Sequence, residues 1–113
     1  MVSILPSHLE LQSHARWCRD YVAQLALEAA SRSSGETGEA LLSLADVLER
    51  QALSVDAPPE DLVLPRPHHF ERWARVLLAS LALTHAGRYT DGSPVAAGRR
   101  ASLLALADVL KHP

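Results

Sequence analysis

Leu41-Leu42-Ser43-Leu44-Ala45-Asp46-Val47-Leu48 returns later in the chain as Leu103-Leu104-Ala105-Leu106-Ala107-Asp108-Val109-Leu110, identical at seven of eight positions. A second block repeats in the same way. Arg16-Trp17-Cys18-Arg19 reappears as Arg72-Trp73-Ala74-Arg75, and carrying that register on to Arg32 and Arg88 gives nine identities in seventeen positions. With this composition a random position would match about one time in eleven, so two ordered blocks exceed what a bias toward Leu and Ala supplies. The offsets of 56 and 62 place six additional residues between the two blocks of the second copy. The chain reads as one helical hairpin written twice.

Helical spacing carries each half. In the first unit, residues 7–53, Ser7 and Glu10 form a capping box in which each side chain satisfies an orphan backbone donor. Leu11, Ala15, Cys18, Val22, Leu25 and Ala29 then make one apolar stripe to about residue 31. A turn at residues 31–35 leads into a second helix over 36–53, with Leu41, Leu44, Ala45, Leu48 and Ala52 on one face. So short a turn makes the two helices antiparallel neighbours. In the second unit, residues 68–113, a helix is expected over 68–86, with Gly87 as a left-handed C-terminal cap. Ser93-Pro94 should then supply the N-cap and first position of a helix running to about Lys111. Residues 54–67 hold four prolines, which excludes helix and favours an extended strap. The expected architecture is all-α, a four-helix bundle of two duplicated antiparallel hairpins joined by that proline-rich strap, within one domain spanning 1–113.

Composition agrees and removes several function classes. The 113 residues hold 20 Leu and 18 Ala against five aromatic residues, one Ile and eight Val, which favours helix over sheet. Eleven basic and thirteen acidic side chains give no basic footprint for nucleic acid or an anionic membrane. Cys18 is the only cysteine, so neither an internal disulfide nor a cysteine zinc site can form, and a cytoplasmic location is expected. The start MVSILPSHLE lacks the basic region of a secretory signal, and no apolar run approaches a membrane span. Ten arginines against one lysine suggest a GC-rich, bacterial coding sequence.

The residues that carry chemistry are few. Asp46 and Asp108 sit at equivalent mid-helix places among apolar neighbours, an unfavourable position for aspartate unless it is paired. Arg16, Arg19, Arg72 and Arg75 are the expected partners in structural Asp–Arg bridges. Trp17 and Trp73 are equivalent and are expected to fill the core between the units; the other reading makes one of them an interface anchor. Six histidines show no helical metal clamp, no Glu-x-x-His and no His-Glu-x-x-His, so no metal or other cofactor is expected. Cys18 lies on the apolar stripe as a small core residue, and no glycine-rich phosphate loop is present.

What remains points to a protein partner. The helix over 68–86 is apolar nearly all round, which calls for burial on every side, and a bundle this small does not cover it unaided. The strap adds Leu62-Val63-Leu64, which is expected to pack over the chain's own core, with a partner-binding strand as the alternative. The expectation is a non-enzymatic bacterial regulator that binds another protein, of anti-activator, immunity-protein or antitoxin type, and forms a homodimer. Its interface would centre on Arg72, Trp73 and Leu77, with Leu62 and Leu64 on the strap. The alternative is a ligand- or metal-binding bundle using His68, His69 or His85 with Asp108.

Overall fold

A computed structural model of the chain describes residues 8–53 and 69–111, with side chains described from His14 onward in the first segment. Four helices follow in order: α1 (His8–Ser31), α2 (Glu36–Leu53), α3 (Glu71–Ala86) and α4 (Pro94–Lys111). α1 packs closely against α2, and α3 against α4, giving the expected all-α bundle of two hairpins. The hairpins meet mainly through α1 against α4 and α2 against α3. Among the described residues no helix is long and apolar enough to cross a membrane. Ser7, Leu62, Leu64 and His68 lie outside the described residues.

Local chemistry explains the corners. α1 ends where the Arg32 and Ser33 amides donate to the carbonyls of Ala29 and Ala30 in tight turns. Gly35 then takes φ +65°, a left-handed conformation that costs glycine little, and the Glu39 amide closes onto its carbonyl. Glu36 and Glu39 lie in the first turn of α2, opposite the positive helix end. At the other corner the expected left-handed Gly87 is corrected. Gly87 stays right-handed, at φ −64° and ψ −12°, because the chain keeps winding: the amides of Arg88 and Tyr89 donate to His85 and Ala86. Gly92 makes the reversal instead, at φ +83°. The Ser93 hydroxyl then accepts from the Ala96 amide, and Pro94 is the first helical residue, as the sequence indicates. α3 starts at Glu71, three residues later than expected, with Phe70 at its N-cap and no side-chain cap.

The duplication is written into the core. At offset 56, Cys18/Ala74, Arg19/Arg75, Val22/Leu78, Ala23/Ala79, Ala26/Ala82 and Ala30/Ala86 are all buried. At offset 62, Leu41/Leu103, Leu44/Leu106, Ala45/Ala107 and Leu48/Leu110 are all buried, while Leu42 and Leu104 both face outward. Each copy therefore exports the same face to the shared core. Small residues also bring the hairpins together, since a Cβ added at Gly98 of α4 would fall within the His14 imidazole of α1.

Leu44 is wholly buried in this core. Leu44→Ala should cost about 2–5 kcal/mol of unfolding free energy, the lost transfer term plus the cavity left behind. Leu42→Ala, its exposed neighbour, should change stability by no more than about 0.5 kcal/mol. Urea unfolding of the two variants checks the assignment; equal effects would contradict this packing.

Candidate interaction site

Two tryptophans at equivalent places in the repeat end in different surroundings. Trp17, on α1, is half-buried and stacks on Tyr21 with ring centroids 4.9 Å apart. Tyr89, from the corner after α3, meets it edge-on at 5.5 Å. The Arg99 guanidinium lies over the Trp17 ring, 4.7 Å from its centroid, within the range where a cation is drawn to an aromatic face. Trp17 thus sits in a cage built by α1, the α3–α4 corner and the start of α4.

Among the described residues Trp73 has no such cage. It is 43% exposed, which corrects the expectation that both tryptophans fill the core between the units. The repeat register gives the reason. Trp17 is enclosed by Tyr89, His85-bound Tyr21 and Arg99; the equivalents for Trp73 are Ser33, Ala29 with Leu77, and Thr37. None of these brings a ring or a cation.

α3 is accordingly not buried on every side. Its inner face is Ala74, Arg75, Leu78, Ala79, Ala82 and Ala86. Trp73, Val76 (49% exposed) and Leu83 (37% exposed) point outward, with Ser80 exposed between them. Of the residues singled out in the sequence, Arg72 and Trp73 are on this outer face, whereas Leu77 is half-buried and packed against the core. Val76 and Leu83 belong to the outer face too, and sequence reasoning did not single them out. Their spacing from Trp73, three and ten residues, was the available signal.

Asp46 takes an arginine partner other than the expected ones. Asp46 is exposed and pairs with Arg50 one turn along α2, at 2.9 Å. Asp108 is exposed on α4, and Arg16 and Arg72 are exposed on α1 and α3. Arg19 and Arg75 are instead buried, 6% and 4% exposed. The Arg19 Nε donates to the Gln51 side-chain oxygen at 2.8 Å, and the Arg75 Nε to the Glu71 carboxylate at 3.0 Å. Burial lowers the pKa of Arg19, an effect partly opposed by neighbouring Cys18. Burial likewise pushes the Cys18 thiol up to about 12, so it stays protonated and unreactive. The aspartates did not need burial, because they lie on the solvent side of helices whose other face is apolar.

His85 contributes to the corner between α3 and α4. The Tyr21 hydroxyl donates to its Nδ1 at 2.5 Å, and an Arg88 N–H approaches the same nitrogen at 3.4 Å. A guanidinium can only donate, so Nδ1 is the acceptor and the neutral ring carries its proton on Nε2. Burial lowers the pKa of His85, with Arg88 adding to the effect and Glu28 opposing it. Burial raises that of Tyr21, helped by Tyr89 and opposed by Arg88. His69 is exposed just ahead of α3. Among the described residues no group of three or more His, Cys, Asp or Glu side chains could hold a metal ion.

Comparison with protein-family models, with curated proteins and with solved structures finds no match. The outward face of α3 is therefore judged on its own geometry and composition.

His85 makes the corner sensitive to acid. Its folded pKa lies below the unfolded value of 6.5, so its contribution is complete above that pH and is lost as pH falls through the folded pKa. The melting temperature should fall as pH drops below about 6.5, and fall less in His85→Gln. Parallel pH profiles for the two proteins would refute this linkage.

Proposed function

We propose that the chain is a non-enzymatic protein-interaction module: a small bacterial, cytoplasmic regulator that binds a protein partner and inhibits or sequesters it, as an anti-activator, immunity protein or antitoxin does. One observation carries the reading, the line of Trp73, Val76 and Leu83 turned outward on α3. Single exposed apolar residues are ordinary on a protein surface and need no explanation. Three on one face of one helix, including a tryptophan beside Arg72, match the anchor residues that dominate binding energy at interfaces. The aromatic corner has already spent its rings on each other and on Arg99, whereas among the described residues the α3 face gathers three of the exposed large apolar side chains on one helix.

Val76→Glu tests this directly. The side chain is about half exposed, so the substitution should move stability by no more than about 0.5 kcal/mol. Affinity capture from cells of the source organism, with mass spectrometry, should recover a partner with the wild-type chain and lose it with Val76→Glu. Recovery of the same proteins by both would remove the basis of the reading.

A further inference from the structure

Resting on that role for the α3 face, we infer that its occupant is an amphipathic helix of a partner protein, with acidic residues flanking its apolar stripe. Trp73, Val76, Ser80 and Leu83 follow one another at intervals of three, four and three residues, and all four are exposed. That is the spacing of a heptad seam, in which each residue inserts between four residues of a facing helix. An extended strand would need contacts at every second residue instead. The seam runs about 15 Å from Trp73 to Leu83, long enough for three turns of an apposed helix.

Charge selects among helices. The near-neutral balance of the whole chain conceals a separation between the hairpins. Residues 8–53 carry seven acidic and four basic side chains, whereas residues 69–111 carry three acidic and six basic. Opposite surpluses of three charges therefore sit on the two hairpins, and the seam lies on the basic one. The exposed charge on α3 itself is Arg72, at the edge of the seam, where flanking charges set partner choice. Glu71 beside it is half-buried and engaged by Arg75. Arg88 is exposed just beyond the far end of the helix.

A second copy meets this surface less well. Seam against seam would bring together two hairpins of the same net charge. α2, the acidic helix of the other hairpin, exposes only Leu42 and Leu53 as large apolar residues, eleven positions apart, with the Asp46–Arg50 pair between them. A single exposed arginine at the edge of an apolar seam is also a weak match to phosphates, which favours protein over nucleic acid or lipid headgroup.

A photo-crosslinking amino acid placed at Val76 of the full chain, in cells of the source organism, will label whatever seats there, and the crosslinked peptide can be sequenced. The expected product is a segment of another protein with apolar residues at helical spacing and net negative charge. A synthetic peptide of that segment should bind the wild-type chain more weakly as salt rises, and about tenfold more weakly to Arg72→Glu. A crosslink to this chain itself, to nucleic acid or lipid, or to a neutral or basic segment overturns the inference. So does an affinity unchanged in Arg72→Glu. A protein segment of the wrong charge leaves the module reading standing, whereas no crosslinked protein at all overturns both.

Discussion

Close approach of helices through alanine is the constraint on which the rest of this structure depends. Half of the buried apolar side chains among the described residues are alanine, and leucine supplies most of the volume between them. Helices that meet through alanine lie toward the short end of the usual interaxial range of about 8–10 Å, and the gap holds leucine in ordinary rotamers but not an indole. Both tryptophans are therefore displaced to the rim. Trp17 finds an enclosure there because the second hairpin has a longer corner, which delivers Tyr89, and opens α4 with Arg99. Trp73 stays on the surface, and the positions equivalent to Tyr89 and Arg99 hold Ser33 and Thr37. The same duplication that builds the core thus produces one protected rim and one open rim, and the difference arises from the residues in which the copies diverge.

The two buried arginines follow from the same geometry. Arg19 precedes Val22, Ala23 and Ala26 by three, four and seven residues, and Arg75 stands in the same relation to Leu78, Ala79 and Ala82. Both guanidiniums therefore lie on the stripe that faces the core, and each needs a hydrogen-bond acceptor there. The copies solve this differently. The first reaches across to Gln51 on α2, whereas the second uses Glu71, one turn back on its own helix. A neutral amide in one case and a carboxylate in the other shows that the requirement is for an acceptor at that place, with full charge neutralisation as an option. No buried side-chain nitrogen or oxygen among the described residues is left without a partner.

Much of the fold was legible because the repeat and the apolar spacing agree. Leu41, Leu44, Ala45 and Leu48 sit on one face in the sequence and are buried together in the structure, and so are their counterparts in α4. Less was legible where one residue serves two periodicities. α3 is apolar nearly all round, so spacing alone did not separate its inner face, Ala74 to Ala86, from the outer seam of Trp73, Val76 and Leu83. Residue size separates them in hindsight. The inner positions are mostly alanine, as close approach demands, and the bulkier Trp73 and Val76 point outward. Asp46 and Asp108 misled for a related reason. Their sequence neighbours are apolar, but a helix turns about 100° per residue, and the aspartates share the solvent side with Leu42 and Leu104.

Charge separation between the hairpins bears on both the cohesion of the bundle and its reach toward a partner. Opposite surpluses on residues 8–53 and 69–111 favour docking of one hairpin onto the other, and the aromatic corner at their junction adds ring contacts of Tyr89 and His85 and the Arg99 guanidinium over Trp17. Arg99 and Arg75 of the second hairpin are thus engaged in packing, over Trp17 and against Glu71. Arg72 and Arg88 remain exposed, near the two ends of α3. Exposed charges of this kind add little to stability, but they steer an encounter and penalise partners of the wrong sign. In the proposed role, the apolar seam would supply affinity to a complementary helix, and the arginine beside it would narrow which helices can use it. That division of labour requires the seam to be open, and it falls chiefly to Arg72, because Arg88 is turned toward His85. The openness of the seam follows from the residues in which the copies diverge, Ser33 against Tyr89 and Thr37 against Arg99.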